Sequence, residues 1–386
     1  MAVGSKKIRA CASNMVETCN LRRGENVIVK GGAHTQELME EISLECYRKG
    51  ALPIMMVTSD RYTKAVYDEI PISTLERSPK HYIGMVENAD TLIAIEEIDD
   101  PRVAEAFPRR KLVARQRAML PILDIVYHPK RGKKWLYAGW PTRAAAKRYG
   151  ISFEQFEKTV IGGISVPPKD LMVAGRRIAS RFRNASWVHV WDGKGTDFRV
   201  KIDGRRANID DGFVSKQDFD IGERGANLPA GELFFAPRET VGEGSIYCPV
   251  TQDRMSGKLI RDVHLEFRRG KLLLETAEAR GDKDQLVASF DECEKIDSKK
   301  YSPVRTLHLA ELGIGFNPKI KKAIGYVLTD EKVSGTVHLA FGHNKSFGGR
   351  SDSVMHWDFV SAPGVNIDVK KKDGRVVSVM TEGKLV

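Results

Sequence analysis

Apolar residues in the first 185 positions come in short β-branched runs separated by helix-length stretches. Glu25-Asn-Val-Ile-Val-Lys30 is one such run and ends at Gly31-Gly32. His34–Lys49 places apolar residues at Leu38, Ile42, Leu44 and Cys46 and stops at Gly50, which predicts a glycine-capped helix. Ala51–Thr58 and Asp90–Glu96 predict two further buried strands. Strands separated in this way predict a parallel sheet built from right-handed crossovers. Helical patterns at Pro141–Tyr149, Ser152–Gly162 and Pro168–Arg183 follow, and the texture changes at Trp187. Beyond it come short apolar runs: Val188–Trp191, Phe198–Ile202, Leu233–Phe235, Val263–Phe267 and Lys271–Leu274. Asp-Gly pairs beginning at Asp192, Asp203, Asp211 and Asp373 punctuate this region, as in an antiparallel sheet or barrel. The expected fold class is α/β plus β-rich. An N-terminal α/β domain with a parallel sheet spans 1–185, and a mainly antiparallel β domain spans 186–386.

Composition fits that division. A chain of 386 residues exceeds one ordinary core. Hydrophobic content of 41% and charged content of 29% are those of a globular protein. No apolar stretch reaches membrane-spanning length, and Met1-Ala-Val-Gly-Ser-Lys-Lys-Ile-Arg9 has no apolar signal core. A cytoplasmic protein without a membrane partner is expected. The five cysteines show no CxxC spacing and are expected to be reduced and buried.

The net charge of +11 is concentrated. Residues 101–150 hold 13 Lys/Arg against Glu105 and Asp124, so this block carries the whole excess. Such a block steers anions. It lacks an RNP, zinc-finger, KH or phosphate-loop pattern, and no aromatic residues are interleaved as stacking platforms. A solvated face, an oligomer contact or substrate steering is therefore expected, and nucleic acid is not an expected partner.

The residue types of metal chemistry gather after position 300. The chain reads His308-Leu-Ala-Glu311…Pro318, then Gly335-Thr-Val-His338-Leu-Ala-Phe-Gly342, then Met355-His356-Trp357-Asp358. If the last segment is a strand, its period of two puts His356 and Asp358 on one face. His338 lies in a strand-like apolar run, where a lone imidazole is costly to bury. Imidazoles beside carboxylates are the donor set for zinc, cobalt, manganese or iron(II), which predicts a metal site. An earlier segment, Asn227-Leu-Pro-Ala-Gly-Glu232-Leu-Phe-Phe-Ala-Pro237, opens an apolar strand with a carboxylate that needs a partner.

Together these four segments resemble the aminopeptidase T/aminopeptidase S family of metallopeptidases. The resemblance is close over the C-terminal half and looser over the N-terminal half. It implies a two-domain fold, a homodimer and a metallo-aminopeptidase that removes N-terminal residues from peptides. It also implies a dinuclear site of two divalent ions (zinc, cobalt or manganese), with ligands Glu232, Glu311, His338, His356 and Asp358. The expected mechanism is attack by a hydroxide held between the two ions, with Glu311 also taking part in catalysis.

The family typically places a site tyrosine seven residues after its first histidine, and Lys345 occupies that position here. Lys345 is therefore expected near the metals, with a depressed pKa or a role at the oxyanion, and His343 is the other candidate in that loop. His308 is a candidate to orient Glu311, and Glu331 a candidate general base. One alternative reading exists. His338, His356 and Asp358 alone make the two-histidine, one-carboxylate set of non-haem iron(II) oxygenases, and the ring-cleaving 2,5-dihydroxypyridine dioxygenases resemble the same scaffold.

Overall fold

The β-branched runs of the N-terminal part are strands in the computed structural model, which describes residues 3–386 apart from positions 129 and 221. Met1, Ala2, Pro129, Ile221 and the side chain of Arg109 lie outside that description. The chain divides into two compact units, residues 1–168 with 212–230, and residues 169–211 with 231–386.

The first unit is built on a parallel sheet. Its strands lie in the order Leu52–Thr58, Asn26–Gly32, Thr91–Ile95, Lys134–Ala138 and Gly225–Leu228. The helix Gln36–Arg48 buries Leu38, Met39, Ile42 and Cys46. Leu44, expected on that face, is instead exposed. Positions 38, 42 and 46 are each one turn apart, whereas position 44 falls on the far side of the helix. Two of the predicted helices start at hydroxyl caps. Thr142 caps Arg143–Tyr149, and Ser152 forms a capping box with Gln155 at the start of Phe153–Ile164.

Part of the basic block is committed inside this unit. Lys134 is buried against Glu25 at 2.7 Å, Arg148 pairs with Glu105 at 2.5 Å, and Lys111 and Lys133 donate to backbone carbonyls. All five cysteines are free and buried. No helix among the described residues is long and apolar enough to cross a membrane.

The second unit holds two antiparallel sheets. The larger, of nine strands among the described residues, includes Ala185–Trp191, Gly242–Gln252 and Leu259–Arg268. The smaller has five strands: β1 (Asn208–Asp210), β2 (Glu232–Phe235), β3 (Leu309–Gly315), β4 (Thr336–Gly342) and β5 (His356–Val360), in the spatial order β5-β4-β3-β2-β1. Alternation along these strands sorts their residues into two sets. One set, including Leu233, Leu312, Leu339, Phe341, Trp357 and Phe359, is apolar and buried. Phe341 packs edge-on against Phe267 of the larger sheet, and Trp357 stacks on Phe290. The opposite face carries the polar residues.

Candidate metal centre

Strand register brings six acidic or imidazole side chains to that opposite face. Asp210 of β1 lies opposite Glu232 of β2, and Glu232 opposite Gly315 of β3. His338 of β4 lies opposite Gly313, and Ala340 is flanked by Glu311 on one side and Asp358 of β5 on the other. His356 pairs with Gly342. Directly opposed residues share a face. Glu232, His338, Glu311, Asp358 and His356 therefore stand in neighbouring rows, with Gly313, Gly315, Ala340 and Gly342 between them.

The small residues make room for the imidazole. A Cβ on Gly313 would stand 1.9 Å from His338 Nε2. Gly231 serves differently: it has φ +117°, and a Cβ there would lie 2.8 Å from that of Asn317. Its amide donates to the Asp210 carbonyl and its carbonyl accepts from Phe316, which fixes the backbone just before Glu232.

Glu311 sits between the two histidines. Its Oε1 is 3.1 Å from His338 Nε2, and its Oε2 is 3.5 Å from His356 Nε2. Glu232 Oε2 lies 3.4 Å from His338 Nε2, and Asp358 Oδ1 lies 3.3 Å from His356 Nε2. Two donor groups result, Glu232–Glu311–His338 and Glu311–His356–Asp358, each with donor atoms within 4.8 Å of one another. They share Glu311. His338 is fully buried and the three carboxylates nearly so, while the His356 side chain keeps 27% exposure and marks the open edge.

The electrostatics fit a cation-binding role. Burial disfavours the charged imidazoles, but the surrounding carboxylates outweigh it. His338 is pushed up to about 9, chiefly by the hydrogen bond to Glu311 with Glu232 behind it, and His356 to about 10 by Asp358 and Glu311. Burial would raise Asp358, yet His356 holds it well below the ordinary carboxylate range. Glu232 Oε2 and Asp358 Oδ1 are buried acceptors without a hydrogen bond. Buried acceptors left in this way are costly unless a cation meets them. These residues fit divalent metal ions.

A backbone contact orients His356. His356 Nδ1 lies 2.8 Å from the His343 carbonyl, an acceptor only, so Nδ1 carries the proton and Nε2 faces Glu311 and Asp358. His343 thus reaches the centre through its backbone. Its half-buried ring has a lowered pKa, from burial first and from the nearby His356.

Lys345 is not brought to the cluster. Its side chain is 64% exposed and its ammonium pairs with Asp352 at 2.6 Å. That hydrogen bond raises its pKa, where proximity to metals was expected to lower it. Phe347 of the same short loop packs edge-on at 5.8 Å from the His356 ring and against Phe234. His308 is likewise surrounded by Arg305, Lys271 and Glu239, with burial lowering its pKa.

Two residues beside the cluster, Asp210 and Lys332, were missed in the sequence. Lys332 is fully buried and donates to Glu232 Oε1 at 2.6 Å and to Glu331 Oε2 at 2.9 Å. Burial disfavours its ammonium, but Glu232, Glu331 and Asp210 together hold its pKa well above the usual value. Glu331 is raised by burial, against the pull of Lys332. The local text, Asp330-Glu331-Lys332, reads as a solvated turn, and only tertiary packing reveals otherwise.

Comparison with known proteins agrees with this fold. AmpT from Thermus thermophilus superposes with a TM-score of 0.79 at 18% identity, covering 99% of each chain. The 2,5-dihydroxypyridine dioxygenase from Pseudomonas putida KT2440 gives a TM-score of 0.60 at 14% identity, covering 100% of this chain and 98% of the other. Both likenesses are of fold. No curated protein sequence matches the chain. The family model for thermophilic metalloproteases (M29) matches residues 5–385, and the chain belongs to that family of metal-dependent peptidases.

Proposed function

We propose that this metallopeptidase is an aminopeptidase with two divalent cations, one held by Glu232, Glu311 and His338 and the other by Glu311, His356 and Asp358. The observation that carries the reading is Glu311, whose two oxygens are divided between the two imidazoles at 3.1 and 3.5 Å. A carboxylate placed in this way bridges two positions. When bound, such ions acidify a water and polarise the scissile carbonyl. Zinc, cobalt or manganese suits the mixed nitrogen and oxygen donors.

The chain's own residues supply the rest. Glu331, partly exposed beside the cluster and held by Lys332, accepts the proton of the attacking water and returns it to the leaving amine. Asp210, opposite Glu232 on the same face, receives the free α-ammonium of a substrate. Phe234 and Phe347 meet at 5.5 Å beside the open edge at His356 and offer an apolar wall to the first side chain. We further propose that the metal-bearing half, 186–386, is the catalytic domain and that the protein is a cytoplasmic homodimer. The five buried free thiols suit a reducing compartment.

The test compares a peptide with a free N-terminus and its acetylated form, with metal counted per chain. Two ions per chain, release of the first residue only from the free peptide, and loss of activity to a chelator are expected. Equal cleavage of both peptides would make this an endopeptidase. Oxygen uptake with a dihydroxypyridine and one iron per chain would point to the dioxygenase chemistry of the second fold relative.

A further inference from the structure

Lys332 is the one fully buried lysine among the described residues. An isolated ammonium in that position costs several kcal/mol of lost hydration, so its partners define what it is for. They are Glu232 at 2.6 Å, Glu331 at 2.9 Å and Asp210 at 3.8 Å. The backbone that carries it is pinned. The Lys332 carbonyl accepts from Asn317 and its amide donates to Thr329, while Asp330, two residues earlier, accepts the amides of Ile324 and Gly325. The ammonium therefore stands at a fixed point.

Its effect falls unequally on Glu232. One oxygen, Oε1, receives the ammonium, and the other, Oε2, faces His338 Nε2 at 3.4 Å with no hydrogen bond. The carboxylate is thus fixed in orientation and offers a single oxygen to the cluster. Glu311, His356 and Asp358 are not among the partners of Lys332. We propose that Lys332 is a positioning residue for one cation only: it sets Glu232 for the group with Glu311 and His338 and leaves the second group untouched. This inference rests on the two-cation reading above.

The asymmetry gives the test. Full-length protein is stripped with a chelator and titrated with cobalt(II) by calorimetry, and metal is counted after dialysis. Wild type should take up two ions. Lys332→Met and Lys332→Gln should keep one at wild-type affinity and bind the other about 10–100-fold more weakly, the range for loss of a group that orients a ligand. In a Glu232→Gln background, Lys332→Gln should cost nothing further, because the lysine acts through that carboxylate. A merely structural lysine would weaken both ions or add its loss to that of Glu232→Gln. If Lys332→Met fails to fold, the Lys332→Gln and Glu232→Gln pair carries the same comparison. Two ions at unchanged affinity in a folded Lys332 variant would overturn this inference alone. One ion or none in wild type would overturn it together with the two-cation reading.

Discussion

Two imidazoles among three carboxylates carry their protons into alkaline solution until a metal displaces them. With His338 at about 9 and His356 at about 10, the metal-free centre is charge-paired at neutral pH. Both values lie above those of an unfolded histidine. Their stabilising contribution is therefore complete below about pH 6.5 and disappears as pH rises through 9 and 10. Metal binding has the opposite trend, since each imidazole must give up a proton to become a ligand. The chelated protein should lose melting temperature between pH 7 and 10 by more than the loaded protein, and metal affinity should rise over the same interval. Parallel melting curves for the two forms across that range would remove the imidazoles from the metal centre. Lys345 gives a second test at this scale. With its ammonium exposed and paired to Asp352, Lys345→Ala should change kcat by two-fold or less; a loss of about 10²–10³ would restore the oxyanion role. Strand periodicity put His356 and Asp358 on one face from the text alone, whereas Glu232, Glu311 and His338 joined them only through the resemblance of their motifs to the family. Lys332 and Asp210 were not legible, because each is defined by what approaches it from another strand or turn.

At the level of elements, the sheet works because small residues alternate with ligands. Gly313 is the sharpest case, with a Cβ position that would fall on the His338 ring. Gly313→Ala should expel the imidazole, lower metal binding at the Glu232–Glu311–His338 group and reduce kcat by at least about 10², with about 1–3 kcal/mol of strain. Metal content per chain and thermal melting check both parts, and a variant with two ions and normal turnover would show that the ring has room to move. The strand carrying His338 is readable as an apolar run, and a period of two groups His356 with Asp358. Asn227-Leu228 was read only as the start of the segment leading to Glu232, yet Gly225–Leu228 joins the parallel sheet of the first unit beside Lys134–Ala138. Four residues give too short a period to reveal a sheet partner, and Lys134-Trp-Leu-Tyr-Ala138 opens on a buried lysine whose partner Glu25 is remote in sequence. Leu44 shows the opposite error, an apolar residue that the helix turns outward.

At the scale of the whole molecule, the parallel sheet leaves one edge to be covered. Leu52–Thr58 pairs with Asn26–Gly32 along one side and is the terminal strand among the described residues. Leu52, Ile54, Met55 and Val57 are each at least 40% exposed, and Leu44 and Tyr47 of the helix leading into this strand are exposed as well. Alternation puts Leu52 and Ile54 on one face and Met55 and Val57 on the other, so the strand is apolar on both sides. Native proteins blunt such edges with charge, proline or a cover, and this one carries a single proline, Pro53, and no charge. A second copy pairing strand to strand would extend the hydrogen-bond ladder and cover the open edge, which fits the proposed homodimer. The protein should therefore run at twice the chain mass by light scattering at micromolar concentration. Ile54→Lys combined with Val57→Glu should halve that mass while leaving metal content unchanged, because the ligands all lie in the second unit. A monomeric wild type would refute the dimer, and a variant that stays dimeric would place the interface on another surface.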